Sequence, residues 1–192
     1  MPKIKSTRDD IIRPDELKIY LKMASRVPKH QYLMVWLYAF GKRISETIPL
    51  TRDDVSFDDN YVYARFRILK TKTRSGVRLV KIKRLTRKHW LAPFLVKHIE
   101  EVSKGDYMFP SWGEQGYLTR RGANVILKMY SDDIWCHLFR HSLAVQMAEH
   151  GANILGLMAF FDWEDEKTAI RYIRTYGQVM EQLSKEWGDR EF

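Results

Sequence analysis

The sequence predicts a mainly α-helical domain carrying one small antiparallel β-sheet, an α+β fold, and three observations predict it. Apolar residues recur at helical spacing over most of the 192 residues. Strict alternation occurs once, at residues 61–68, where Val62, Ala64, Phe66 and Ile68 share one face and Tyr61, Tyr63, Arg65 and Arg67 the other. A turn sequence, Thr73-Arg74-Ser75-Gly76, then separates this stretch from a second strand-like run at 77–83.

The elements follow in order. Pro14-Asp15-Glu16 opens a helical pattern (Leu17, Ile19, Tyr20, Leu21, Met23, Ala24) that stops near Val27-Pro28. A second helix, residues 30–40, is apolar all round and therefore belongs in the middle of a core. Gly41 ends it, and Arg43-Ile44-Ser45-Glu46 begins a short helical turn before Pro49. After the hairpin, whose exposed face is expected to be basic, the pattern is helical again. Helices are expected at 86–103, 119–130, 138–150, 153–161 and 166–187, divided by Gly, Pro and Asp clusters. No repeat, flexible linker or second domain is visible, so residues 1–192 read as one domain with a tail at 1–14.

Composition narrows the partners. No apolar run is long enough to span a bilayer, and the first ten residues lack the apolar core of a signal peptide. A single cysteine, Cys136, excludes a disulfide framework and fits a reducing cytoplasm. The net charge is +9, yet residues 60–97 hold twelve Lys and Arg and no Asp or Glu. The rest of the chain is therefore net acidic, and a polyanion is expected to meet one side of the molecule.

Four features carry chemistry. Arg43 follows the buried helix in Gly41-Lys42-Arg43-Ile44-Ser45-Glu46. Lys72 sits in Lys70-Thr71-Lys72-Thr73 before the hairpin turn. His137-Leu138-Phe139-Arg140-His141 puts His137 and Arg140 three apart, on one helix face. Trp163 precedes Tyr172 by nine residues. In this order, with Ser142 and Gly151 following the His-x-x-Arg-His motif, the chain resembles the catalytic domain of the tyrosine recombinase (phage integrase) family from about Asp15 to Trp187. Phe139 stands where leucine is usual in that family, and Phe161-Asp162-Trp163 replaces the common Leu-Gly-His.

The resemblance implies DNA strand cleavage and rejoining through a 3′-phosphotyrosine. Arg43 and Arg140 would grip the non-bridging oxygens of the scissile phosphate and stabilise the charge that builds on them. Tyr172, a phenol of ordinary pKa about 10, would attack the phosphorus as it loses its proton. His137 is the expected base or hydrogen-bond partner, and Lys72 the expected acid for the departing 5′ oxygen, with Lys70 as its alternative. Trp163 would donate its indole N–H to the phosphate. Glu46 and His141 would support this set from behind. Arg65, Arg67, Lys70, Arg74 and Arg78 are the expected DNA contacts. The bond energy stays in the phosphotyrosine, so no cofactor and no metal is expected. His137 and His141 do have zinc spacing, four apart, but no glutamate lies between them and no third ligand is evident.

Periodicity separates Tyr172 from a rival, Tyr176. The last helix carries a stripe of Ala169, Ile173, Tyr176, Met180, Leu183 and Trp187, on which Tyr176 lies centrally and Tyr172 at the edge. The expected partner is double-stranded DNA, met as a homotetramer on synapsed duplexes and as a monomer without DNA, with no membrane and a nucleoid-associated, cytoplasmic location. Residues 177–192 would be a subunit-exchange tail. Neither a core-binding nor an arm-binding domain is expected, which fits a naturally short recombinase or a catalytic fragment. Two alternatives stand beside this: a non-catalytic DNA-binding module with the same fold, and supercoil relaxation of the type IB topoisomerase kind.

Overall fold

The computed structural model describes residues 11–72 and 78–176, of which 69–72, 78 and 176 are described by their backbone alone. The expected subunit-exchange tail at 177–192 therefore lies outside the described residues. The chain divides into two compact units, Ile12–Arg140 and a smaller one made mainly of His141 onward.

In the larger unit, α1 (Pro14–Met23) and α2 (Pro28–Phe40) each begin on a proline, whose missing N–H and fixed φ suit a first helical turn. Every residue of α2 from Tyr32 to Phe40 is buried, as its all-round apolarity predicts. Gly41 ends the helix at φ 55°, a left-handed conformation that glycine adopts without a Cβ clash. A one-turn helix, α3 (Ile44–Thr47), follows at once.

The sheet has the order β1 (Val55–Phe57), β2 (Tyr61–Lys72), β3 (Arg78–Thr86), all antiparallel. On β2 the alternation holds: Val62, Ala64, Phe66 and Ile68 are buried and Arg65 and Arg67 exposed. β3 reverses it. Lys83 pairs with Ala64 and Lys81 with Phe66, and residues directly opposite share a face, so both lysines lie on the core side of the sheet. Val80 and Ile82 are turned outward, 51% and 68% exposed. The expected basic exposed face holds on β2 through Arg65 and Arg67, while on β3 it is shared between Arg84 and the apolar Val80 and Ile82.

Two boundaries also move. β3 runs on to Thr86 because its last residues pair with Tyr61, Val62 and Tyr63. The helix expected from residue 86 therefore starts later, as α4 (Ala92–Glu101), with Pro93 in its first turn. The next helix is α5 (Arg120–Lys128), N-capped by the Thr119 hydroxyl, which accepts from the Gly122 N–H at 2.9 Å.

His98 of α4 anchors the core against α2. The Trp36 indole N–H donates to His98 Nδ1 at 3.0 Å, and the imidazole stacks on Tyr32 at 4.1 Å between centroids. Burial pushes the His98 pKa down to about 4 from 6.5. Because the indole N–H already occupies Nδ1, protonation would set two donors against each other. The unfolded chain binds this proton between pH 6.5 and 4 and the folded chain does not. Stability is therefore complete above pH 6.5 and falls as pH drops towards 4. Urea midpoints across that range should show the fall in the wild type and a shallower one in His98→Phe.

The smaller unit starts within α6 (Cys136–Glu149), at His141, and continues through α7 (Ile154–Phe161) and α8 (Glu166–Tyr176). Asn153 caps α7 by accepting the Gly156 N–H at 2.7 Å. Ala144, Ala148, Leu157, Phe161 and Ala169 form its buried centre, with Trp163, Tyr172 and Ile173 packed against them. Asp162 ends α7 at φ 52°. That is a left-handed position, and aspartate is among the non-glycine residues that tolerate it best.

Candidate active site

Within the larger unit the site is built on the turn between α2 and α3. The backbone N–H of Arg43 donates to Glu46 Oε2 at 3.1 Å and its guanidinium donates to Oε1 at 3.0 Å. One buried carboxylate thus caps α3 and orients the arginine, whose side chain keeps 23% of its surface exposed. Arg140, itself buried, donates to the Gly41 carbonyl at 2.6 Å and fastens the start of the same turn.

A cavity of about 130 Å³ opens here, lined by Lys42, Arg43, Arg120, Trp135 and His137. His137 is placed by a side chain from α5: Asn124 Oδ1 accepts the Cys136 N–H at 3.0 Å, fixing the first turn of α6. Four of these lining residues, Lys42, Arg43, Arg120 and His137, are permanent or potential cations, so the cavity is suited to an anion of phosphate size.

Lys42 escapes the sequence reading. It is 1% exposed, with its ammonium over the Phe66 ring at 5.5 Å. Burial, then Lys83, Arg140 and Lys81, push its pKa down to about 6, while Glu46 opposes them. Lys83, on the same side of β3 as Ala64 of β2, has its pKa pushed down to about 8, mainly by burial and then by Lys81. The available signal was a lone lysine between a wholly apolar helix and Arg43.

Within the smaller unit, Tyr172 of α8 is half-buried and its hydroxyl lies 2.9 Å from His141 Nδ1. The Trp163 ring stacks on the Tyr172 ring, 5.2 Å between centroids and 13° from parallel, and Phe161 stacks beneath Trp163 at 4.8 Å. Three rings in series therefore fix the phenol while the imidazole addresses its oxygen.

Residues 11–178 match the model of the Phage integrase family. The chain belongs to that family. It is 26% identical to the tyrosine recombinase XerD of Rickettsia bellii (strain RML369-C), over 90% of this chain and 62% of that protein. Its fold matches the crystal structure of XerA recombinase with a TM-score of 0.68 at 17% identity, covering 99% of this chain and 68% of that one. It also matches XerH site-specific recombinase bound to its difH substrate, with a TM-score of 0.61 at 16% identity, covering 91% and 52%. The chain thus spans about 62% of the length of XerD and 52% of XerH. Its fold is that of an integrase catalytic domain, mostly helical with a small antiparallel sheet.

Against this integrase frame the expected residues fall into five groups. Arg43, Glu46, Arg140 and His137 gather around the α2–α3 turn, and Trp163, Tyr172 and His141 around the ring stack. Arg65 and Arg67 are exposed but tied inward, with Arg65 Nε 3.5 Å and an Arg67 terminal nitrogen 3.4 Å from the Asp54 carboxylate. Lys70, Lys72 and Arg78 are described by backbone alone, with Lys72 paired to Arg78 beyond an irregularity in the ladder. Arg74 and the side chain of Tyr176 lie outside the described residues. His137 is the expected base or hydrogen-bond partner of the phenol, and His141, expected only as a supporting residue, is described in contact with the phenol oxygen.

Proposed function

We propose that this integrase-family chain is the catalytic domain of a site-specific DNA recombinase that cuts and rejoins strands through a 3′-phosphotyrosine. The contact between the Tyr172 hydroxyl and His141 Nδ1 carries the reading, because it supplies a nucleophile already hydrogen-bonded to a base. A hydroxyl that donates to this nitrogen passes its proton along the same bond as the phenol oxygen attacks phosphorus. Arg43 and Arg140 take the non-bridging oxygens, and the departing 5′ oxygen receives a proton from Lys72. Rejoining runs the same steps backwards with a different 5′ hydroxyl. His137 holds the phosphate from the cavity, and Trp163 holds the plane of the tyrosine.

The substrate in this reading is double-stranded DNA, and strand exchange takes place in a homotetramer on two duplexes. The experiment is covalent capture. The protein is incubated with nicked duplexes randomised around the nick, denatured, and the attached DNA is sequenced. One recovered site, attached through a 3′ phosphate, is the expected result; no attached DNA overturns the reading. Binding should also depend steeply on salt, since phosphate neutralisation by the basic residues dominates affinity. Raising monovalent salt from 50 to 200 mM should weaken a fluorescent duplex by about a hundredfold or more.

A further inference from the structure

We propose that Lys42 is a further phosphate-binding residue of this site, its ammonium acting with Arg43 and His137 on the same phosphodiester. The inference rests on the recombinase reading and adds a residue to it. Lys42 follows the Gly41 turn directly, is 1% exposed, and lines the cavity that Arg43 and His137 also line. Its neighbours make it a poor choice for mere packing. Lys81 and Lys83 face it from β3, Arg140 from α6 and Glu46 from α3, and the Phe66 ring lies against it from β2. A methionine or leucine would fill the position without placing a titratable amine among cations, so the fold keeps that amine here at a cost in stability.

An anion in the cavity reverses that balance. Burial and the neighbouring cations Lys83, Arg140 and Lys81 favour the neutral amine of Lys42 in the free protein. A phosphodiester beside Arg43 attracts a proton back onto Lys42. The ammonium then adds a charge to the phosphate at the moment it is needed. In the free protein the unfolded chain holds this proton from pH 6 to 10.5 and the folded chain does not, so folding stability rises with pH across that window.

The test uses the nicked duplex recovered by covalent capture, with the wild type, Lys42→Met and Lys42→Arg. At pH 7, Lys42→Met should form the adduct about a hundredfold more slowly, and Lys42→Arg should recover most of that loss. A duplex with sulfur in place of the 5′ bridging oxygen needs no acid, so it should rescue Lys72→Ala and leave Lys42→Met slow. Lys42→Met should also melt about 2 °C or more above the wild type, and its stability should lose the rise with pH. A wild-type adduct rate in Lys42→Met overturns the proposal alone. So does rescue of Lys42→Met by sulfur, or a slow variant that melts below the wild type. A wild type that forms no adduct with any duplex removes the recombinase reading, and this one with it.

Discussion

Tyr172→Phe should lose the covalent adduct by about ten-thousandfold or more while keeping the fold. The phenol oxygen is the atom that would form the bond to phosphorus, and no neighbouring group can replace a missing nucleophile in place. The ring stays. Its stack on Trp163, 5.2 Å between centroids, involves carbon faces that phenylalanine reproduces. The hydroxyl's hydrogen bond to His141 is lost, at a stability cost of about 1 kcal/mol. Denaturing electrophoresis of labelled nicked duplex reads the adduct, and urea unfolding reads the fold. An adduct that persists in the variant would move the nucleophile to another hydroxyl, Tyr176 being the first to examine.

Glu46→Ala should have the largest effect on stability, about 3 kcal/mol by urea unfolding, together with slower adduct formation. One carboxylate serves three groups. It accepts from the Arg43 backbone N–H and from the Arg43 guanidinium, and it opposes the repulsion that Lys42 feels from Lys83, Arg140 and Lys81. Its side chain is 1% exposed, so removal leaves buried donors and cations without their counter-charge. Glu46→Gln keeps an oxygen for the backbone donor and loses only the charge, so it should cost about half as much. A variant that costs nothing in stability yet slows cleavage would show that the carboxylate serves orientation alone.

How far the fold could be read from the chain depended on which faces are buried. The alternation of β2 was legible because its inner face is wholly covered and its outer face is not. β3 misled because Lys83 is half-buried on the side of Ala64 while Val80 and Ile82 are exposed, an arrangement fixed by pairing with Ala64 and Phe66 rather than by its own pattern. β1, three residues long, is too short for any period to show. The chemical residues were legible by type and spacing, which name histidines, arginines and a tyrosine but not their mutual contacts. His137 and His141 lie one turn apart on a single helix, and spacing alone does not reveal that His141 meets the phenol. Lys42 was missed for a physical reason: charge in a sequence reads as solvent exposure, and this charge is buried. Arg65 and Arg67 carry the right charge for DNA, but each is held by Asp54, thirteen residues or fewer away.

The bond from Arg140 to the Gly41 carbonyl has an implication for speed. A long, flexible guanidinium normally surrenders rotamer freedom when it closes on a ligand, which slows and weakens capture. Here that freedom is surrendered during folding, so in the proposed reaction the arginine would meet the phosphate already aimed. Loosening the turn at Gly41 would therefore return that entropic cost to the binding step, making capture of the phosphate both slower and weaker.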